Sequence, residues 1–194
     1  MIKAIETYYN GYRFRSQLEA RWAVFFDAMG IRYLYEYEGF EHDFGDCVMR
    51  YLPDFYLPDY DLYAEVKGAE FLTDIPHQDA MKMSWFIDFD GPCANGIILL
   101  GNIPNPVGAI TMSWAVWRWS GEGLDLGYIC ARDEPDIRDF YSFIQSSAPH
   151  FFTEDEHYRL TCSVICSDHE LVHSKVENAL LKARQARFEY GECG

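Results

Sequence analysis

Long apolar segments are missing from this sequence. No run approaches the ~20 consecutive apolar residues that a membrane-spanning helix needs. The N-terminus, Met-Ile-Lys-Ala-Ile-Glu-Thr-Tyr-Tyr, also lacks the apolar core of a secretory signal. We therefore expect a soluble, cytoplasmic protein without a membrane partner.

A compact cysteine framework is missing as well. The six cysteines are scattered along the chain. Without a secretory signal they are expected to be reduced thiols rather than disulfides.

Positive charge is scarce: 16 lysines and arginines stand against 31 aspartates and glutamates, which gives a formal net charge of -15. A strongly acidic surface opposes non-specific association with polyanions such as nucleic acids. The basic residues are grouped, however, mainly between positions 13 and 50 and between positions 175 and 187. If these groups converge in space, they form a local basic groove. If they do not, affinity for a polyanion must come from a partner protein.

Low-complexity linkers and internal repeats are also absent. With 194 residues, of which 49% are hydrophobic and 17% aromatic, the chain is long enough for one well-filled core, and its composition argues against disorder. We expect a single α/β domain over residues 1–194.

The segment around which the sequence is organised is a predicted β-hairpin at residues 51–66. Apolar runs at 51–57 and at 62–66 flank a cluster of turn-forming residues. Side chains alternate along a strand, so Glu65 and Lys67 point to one face and lie only ~6.6 Å apart. A second acid, Asp54, is carried on the partner strand.

Asp54, Glu65 and Lys67 are suited to metal-assisted hydrolysis. The two carboxylates can supply oxygen ligands to Mg2+ or Mn2+, and water can fill the other octahedral positions. Lys67 can orient an attacking water or neutralise charge that develops on a phosphate. An ordinary exposed hairpin is the alternative explanation.

Pro53-Asp54 followed by Glu65-Val66-Lys67 resembles the PD-(D/E)XK motif of the restriction-endonuclease-like nuclease superfamily. The phrases Tyr-Leu-Pro-Asp-Phe and Glu-Val-Lys-Gly are similar to its phage and transposase-type members. The resemblance implies a Mg2+-dependent endonuclease that hydrolyses phosphodiester bonds in DNA, in the cytoplasm of a bacterial or phage-infected cell. It also implies that Asp54, Glu65 and the Val66 carbonyl hold the metal and that Lys67 assists the nucleophilic water.

Residues 16–29 are the best predicted helix of the N-terminal half, because their apolar side chains recur at helical spacing. Glu19 lies at the edge of the apolar stripe, and the resemblance implies that it joins the catalytic metal site directly or through water. Ser16 to Glu19 is also a capping box, and Arg15 is spaced for an ion pair with Glu19.

The remaining segments complete the core that the resemblance implies over about residues 10–105. We predict a strand at 31–38, a polar loop at 39–50, a helix at 74–89 and a buried strand at 95–101. A strand–helix–strand crossover makes the last two core strands parallel. The expected fold is α/β with a restriction-endonuclease-like core, in the order helix, three-strand meander, helix, parallel strand.

Beyond the core, we predict an added β-hairpin over about 106–133 and a helical C-terminal part over about 134–194. The individual elements are expected at 109–119 and 124–131 for the strands and at 136–147 and 171–183 for two helices. The tryptophans of the hairpin have two explanations, which are packing of a sheet extension and stacking of bases.

The C-terminal region also offers a competing zinc site. Two thiols and two imidazoles form a compact group there: Cys162, Cys166, His169 and His173. The gap between the cysteines and the histidines is shorter than in ordinary zinc fingers. Residues 167–170 also form a capping-box pattern that would start a helix at about residue 168.

Nucleic-acid contacts are assigned to the start of the first helix, at Arg15, Gln17 and Arg21. DNA is the expected partner, with a homodimer and a protein that adds DNA affinity as further options. The alternative function is a non-catalytic phage-type inhibitor or adaptor, which keeps the nuclease fold and binds a basic protein through its acidic surface. The net charge of -15 favours the adaptor, whereas the intact motif favours the enzyme.

Overall fold

The computed structural model describes residues 4–88, 91–92, 96–106, 111–119, 124–130, 161–164 and 174–188, which form a mixed α/β fold. The elements are, in chain order, β1 (Thr7–Tyr9), β2 (Tyr12–Phe14), α1 (Gln17–Met29), β3 (Leu34–Tyr35), β4 (Phe40–Asp43), β5 (Val48–Tyr51), β6 (Phe55–Leu57), β7 (Leu62–Val66), a 3-10 turn (Leu72–Asp74), α2 (His77–Phe86), β8 (Ile97–Leu100), β9 (Thr111–Trp119), β10 (Leu124–Cys130), β11 (Thr161–Val164) and α3 (Ser174–Gln185). Within these residues, none of the helices has the length and apolar character to cross a membrane.

Seven of the described strands form one sheet in the order β10-β9-β8-β7-β6-β3, with β11 also paired to β9. β7 and β8 are parallel and are connected through α2, whereas the other neighbours are antiparallel. The crossover prediction is therefore confirmed. All the residues of β8 are buried, as expected for a strand covered on both faces.

The two faces of the sheet bury different side chains. On β7, Leu62 and Ala64 belong to one core cluster and Tyr63 belongs to the other, as the alternation of a strand requires. Helices α1 and α3 supply the first cluster, and α2 supplies the second. The result is a three-layer arrangement with helices on both faces of the sheet.

Helix α1 begins and ends as the sequence predicted. The Ser16 hydroxyl accepts a hydrogen bond from the Glu19 N–H at 3.2 Å. Gly30 ends the helix with a φ of 76°, a left-handed conformation that glycine adopts readily. Trp22 is fully buried and donates its indole N–H to the Gly101 carbonyl at 2.8 Å. This bond fixes α1 against the end of β8.

Two predicted strands are wrong in length. In place of 31–38, the strand β3 spans Leu34–Tyr35. It stops there because Glu36, with a φ of 47°, has a left-handed backbone that interrupts a strand. The predicted strand 51–57 is also divided, because Tyr51 ends β5 and the proline two residues later has no N–H for a ladder.

The polar loop predicted at 39–50 is wrong, because these residues contain most of a β-hairpin. β4 and β5 pair with Phe40 opposite Tyr51, and Gly45 turns the chain with a φ of 88°. Phe40 packs edge-on against Phe86 of α2, with ring centroids 4.8 Å apart. Aromatic packing onto α2 therefore outweighs the polar composition that suggested a loop.

The helix predicted at 74–89 begins later than expected. A 3-10 turn over Leu72–Asp74 precedes α2, which starts at His77. Pro76 is the N-cap, with a φ of -54° and a ψ of 136°, and the residue before a proline is biased away from helical backbone. The predicted last residue of this helix lies outside the described residues.

The segments beyond the core agree with the sequence in part. The added hairpin is confirmed as the antiparallel pair β9 and β10, and the last predicted helix is confirmed as α3, which packs on α1. Trp114 is buried against Trp22 and Phe25, so packing accounts for this tryptophan. The helix predicted at 136–147 lies outside the described residues.

The prediction that the C-terminal part is helical is wrong at β11. This strand pairs with residues 111–114 of β9, whereas β8 pairs with residues 115–117. β10 occupies the other edge of β9. β11 therefore fills the edge that β9 leaves open beyond the end of β8, a long-range pairing that local sequence does not reveal.

Candidate active site

Three acidic side chains are buried together at one end of the β6–β7 pair. Among the described residues, the buried polar side chains are Thr7, Glu19, Asp54 and Glu65. Asp54 directly precedes β6, Glu65 lies in β7, and Glu19 lies in the first turn of α1. The β6–β7 register places Asp54 across from Glu65. We refer to Glu19, Asp54 and Glu65 as the carboxylate cluster.

Asp54 is the most electrostatically unfavourable member of this cluster. Its Oδ2 accepts a hydrogen bond from the Val66 N–H at 2.7 Å. Burial, followed by the charges of Glu65 and Glu19, raises the pKa of Asp54 well above its usual value, although the Val66 hydrogen bond and Lys67 act in the opposite direction. The site therefore has an excess of negative charge that a cation would relieve.

Glu65 has donors on both of its carboxylate oxygens. Tyr51 donates its hydroxyl to Oε2 at 2.7 Å, and the Lys67 ammonium lies 2.8 Å from Oε1. Burial, followed by the charge of Glu65, raises the pKa of Tyr51, so this phenol stays protonated and keeps donating. The orientation of Glu65 is therefore fixed from two sides.

Glu19 both caps α1 and belongs to the cluster. Its Oε2 accepts hydrogen bonds from the Tyr35 hydroxyl at 2.6 Å and from the Arg15 N–H at 3.1 Å. Its Oε1 accepts from the Ser16 hydroxyl at 2.6 Å. The capping box is thus present, but its carboxylate closes on the Arg15 N–H rather than on the Ser16 N–H. The charge of Glu19 is also one of those that raise the pKa of Asp54.

The alternative ion pair between Arg15 and Glu19 is wrong. The Arg15 guanidinium instead pairs with Glu36, and its side chain is 58% exposed. Tyr35 takes the position beside Glu19 because β3 carries it under the start of α1. Glu19 is therefore held by neutral donors, and no cationic side chain among the described residues contacts its carboxylate directly.

Lys67 is held between two acids. Its Nζ lies 2.8 Å from Glu65 Oε1 and 3.0 Å from Asp79 Oδ2. Burial lowers the pKa of Lys67, but the two carboxylates outweigh burial and raise it to about 12. Lys67 is therefore protonated at neutral pH and donates hydrogen bonds to both carboxylates.

A groove of about 480 Å³ opens above Glu65 and Lys67. It lies between the β4–β5 hairpin, the end of β7 and α2. Four cationic side chains line it, namely Arg15, Arg50, Lys67 and Lys82, together with Glu41, Glu65 and Asp79. The mixed lining provides positive charge for an anionic substrate directly beside buried acids.

The predicted nucleic-acid contacts are divided by the structure. Arg15 lines the groove. Gln17 and Arg21 instead line a second pocket on the other side of α1.

The Val66 carbonyl lies on the side of Asp54. The Val66 N–H points to Asp54, and in an extended strand the N–H and C=O of one residue point to the same side.

Sequence reasoning missed Tyr35, Tyr51 and Asp79 as parts of the site. Each contacts a predicted residue through a hydrogen bond of 2.6 to 3.0 Å. Tyr51 was predicted at the start of the strand 51–57, but it ends β5 of a hairpin that the sequence did not predict, so no signal aimed it at Glu65. Asp79 lies on the crossover helix, and its helical position relative to the buried Met83 was the signal that could have placed it near β7.

The donors present fit a hard divalent cation. The carboxylates of Glu65 and Asp79 contact the Lys67 ammonium directly. Those of Glu65 and Glu19 act on Asp54 through their charges. Within the described residues, no group of three or more acidic, imidazole or thiol side chains is arranged to hold a metal ion. Two carboxylates, completed by a backbone carbonyl and by water molecules, would still form a donor set typical of Mg2+.

The competing zinc site falls mostly outside the described residues. Cys162 lies in β11, whereas Cys166, His169, His173 and the helix start expected at about residue 168 are not among the residues that the structure describes. The zinc hypothesis therefore stays a prediction.

Comparisons with known proteins give no relative. No protein-family model, no curated protein and no solved structure matches this chain. The geometry of the carboxylate cluster and of the groove therefore carries the functional conclusion.

Proposed function

We propose that this protein is a metal-dependent nuclease of the restriction-endonuclease-like kind, which hydrolyses phosphodiester bonds in DNA. The observation that carries the proposal is the joint burial of Asp54, Glu65 and Glu19, together with a groove that is lined by Glu65 and by four cationic side chains, one of them Lys67. A buried acid such as Asp54, whose pKa is raised by burial and by neighbouring carboxylates, is unfavourable for folding alone and is characteristic of functional sites.

The order of the elements supports the same proposal. α1, β3, β6, β7, α2 and β8 follow one another as helix, three antiparallel strands, helix and parallel strand. This is the order that the resemblance to the PD-(D/E)XK superfamily implies. The β4–β5 hairpin is inserted into the meander, and β9 and β10 extend the sheet.

Each residue of the site has a distinct role in this proposal. A bound Mg2+ supplies Lewis-acid activation of the phosphate and of the attacking water. Asp54 and Glu65 would hold the ion with the Val66 carbonyl, and Glu19 would reach it through water. Tyr51 fixes the carboxylate of Glu65.

Lys67 assists the nucleophile as a cation. An ammonium has three N–H donors, and two of them face Glu65 and Asp79. The third is available for the attacking water or for a phosphate oxygen. As an ammonium, Lys67 would orient the water and stabilise negative charge on the phosphate.

The test measures cleavage of plasmid, branched, linear and single-stranded substrates with Mg2+ or Mn2+. We expect metal-dependent cleavage by the wild type and a loss of at least about 100-fold in each variant, because Glu65→Gln removes a proposed metal ligand and Lys67→Ala removes the cation that assists the nucleophile. Asp59→Asn is the matched control, since this exposed acid pairs with Arg32 away from the groove. Substituted proteins that fold and cut like the wild type would refute the assignment.

A second function is favoured by the net charge of -15. In it, the protein is a phage-type inhibitor or adaptor that binds a basic protein through its acidic surface. A folded wild type that cleaves none of the substrates with either metal would favour this function over the nuclease.

A further inference from the structure

A second pocket, of about 650 Å³, lies between the start of α1 and the end of α3. Its polar lining includes Gln17 and Arg21 from α1, Arg184 from the last turn of α3 and Arg187, which follows α3. None of the described residues that line it is acidic. The chain has nearly twice as many acidic as basic residues. The fold therefore brings these positive charges together in spite of the composition.

The arginines of this pocket differ from the others in their partners. Among the arginines whose side chains are described, four are paired with carboxylates: Arg13, Arg15, Arg32 and Arg50. The remaining three make no ion pair within the described part of the chain, and all of them line this pocket: Arg21, Arg184 and Arg187. Guanidinium groups without a carboxylate partner indicate a site for an external anion.

One of these guanidinium groups is held by a hydrogen bond, and another has a buried donor without an acceptor. Arg184 donates from Nη1 to the Ile103 carbonyl at 2.9 Å, which ties it to the segment after β8. The Nε of Arg21 is buried and has no hydrogen-bond acceptor among the described residues. A buried donor without an acceptor costs about 1–3 kcal/mol, and a bound phosphate oxygen would satisfy it.

Helix electrostatics do not explain the cluster. Basic side chains in the last turn of a helix compensate its negative end, which would account for Arg184 in α3. Arg21 comes from another helix, and Arg187 follows the end of α3. The pocket also adjoins the first turn of α1, whose positive end favours an anion.

The position of the pocket relates it to the groove. Arg15 lines the groove, and Gln17, two residues later, lines the pocket. Residues at the N-terminus of α1, a helix about 10 Å in diameter, therefore line both cavities. A polymer that occupies the groove can reach the pocket by passing this helix end.

We propose that the pocket binds the phosphodiester backbone of the nucleic-acid substrate, beside the groove in which the strand is cut. The identity of the ligand rests on the proposed nuclease function, whereas the anion site rests on the arginines themselves. The pocket supplies local positive charge for a polyanion, which the acidic surface elsewhere repels.

The test compares two double variants that remove the same charge. Arg21→Gln/Arg187→Gln alters the pocket, and Arg13→Gln/Arg32→Gln is the control, because its arginines sit in exposed ion pairs. Thermal denaturation first establishes that both variants fold. Binding of labelled single-stranded and duplex oligonucleotides is then measured by fluorescence anisotropy over a range of NaCl concentrations, with Ca2+ in place of Mg2+.

We expect the pocket variant to bind more weakly than the wild type regardless of base sequence. The slope of log K against log salt should become less steep by about 1.4 for single strands and about 1.8 for duplexes, because two phosphate contacts are lost. The control should keep the wild-type slope. Arg184 is left intact because its bond to Ile103 supports the fold.

Four outcomes would overturn the proposal: no oligonucleotide binding by the folded wild type, a wild-type slope in the pocket variant, an equal loss in the control, or equal competition by polyglutamate at the same charge concentration.

Failure of the nuclease function is a separate result. Arginine-dependent binding without metal-dependent cleavage would refute the nuclease alone. Cleavage with arginine-independent binding would refute the pocket alone.

Discussion

Asp54 illustrates how one residue makes the site unstable in the absence of a cation. Burial, then the charges of Glu65 and Glu19, raises its pKa above the unfolded value of 3.8. The folded protein therefore binds this proton more tightly than the unfolded chain does, and stability falls as the pH rises from the unfolded pKa toward the folded one. We predict that Asp54→Asn raises the free energy of unfolding at neutral pH and weakens its decrease above about pH 4.

Urea denaturation at a series of pH values measures this effect. Asparagine keeps a carbonyl oxygen that can accept the Val66 N–H, so the comparison isolates the charge. Asp59→Asn is the control with the opposite sign, because the hydrogen bond from Arg32 lowers the pKa of Asp59. If Asp54→Asn were less stable than the wild type at neutral pH, burial of the charge would not be the dominant effect.

For single residues, the sequence predicts the side-chain positions that the alternation along a strand determines. Glu65 and Lys67 share a face because they are two residues apart, and Asp54 joins them through hairpin pairing. Tyr51 and Asp79 were missed because each is brought in by another element. The direction in which a helix or a hairpin points its side chains depends on packing partners that are distant in sequence.

The β4–β5 hairpin is the element that joins the groove to the carboxylate cluster. Tyr51 packs against Phe86, with ring centroids 5.1 Å apart, while its hydroxyl donates to Glu65. We predict that Tyr51→Phe keeps this packing but destabilises the protein by about 1–3 kcal/mol, because a buried carboxylate oxygen loses its donor. Chemical denaturation measures the loss.

Tyr56→Phe is the matched control for this substitution. Tyr56 donates to the exposed Asp61 at 3.0 Å, where water can replace the phenol, so we expect a change of less than about 0.5 kcal/mol. Equal effects of the two substitutions would show that the hydroxyl of Tyr51 has no special role in holding Glu65.

Elements were predicted well where a long periodic pattern and local end signals coincide. α1 has an apolar stripe, a serine cap and a terminal glycine, and the boundaries of β8 follow from an uninterrupted apolar run. β3 and the β4–β5 hairpin have strands of two to four residues. Such strands are too short to show a period, and they form because the rest of the fold supplies their partners.

For the whole molecule, the net charge of -15 predicts a response to ions. Self-repulsion destabilises a compact acidic protein, so NaCl should raise Tm by screening. We predict that Mg2+ raises the Tm of the wild type by a further 3–6 °C or so at about ten times its Kd, relative to NaCl at the same ionic strength. Differential scanning fluorimetry measures both effects.

The variants separate screening from binding. Glu65→Gln should respond to NaCl as the wild type does and should lose the additional shift with Mg2+, because a proposed metal ligand is gone. Asp59→Asn should keep both responses, since its carboxylate lies outside the carboxylate cluster. A Mg2+ shift that persists in Glu65→Gln would show that the ion binds elsewhere on the acidic surface.

The hydrogen bond from Trp22 to the Gly101 carbonyl has a consequence for synthesis of the chain on the ribosome. It joins residues 79 positions apart, which at ordinary translation rates are made about 4–16 s apart. Until Gly101 has emerged, α1 lacks the strand end against which it is anchored, and Glu19 cannot be held beside Asp54 and Glu65. The three acids are therefore brought together only after β8 has been translated, well after Glu65 itself has been made.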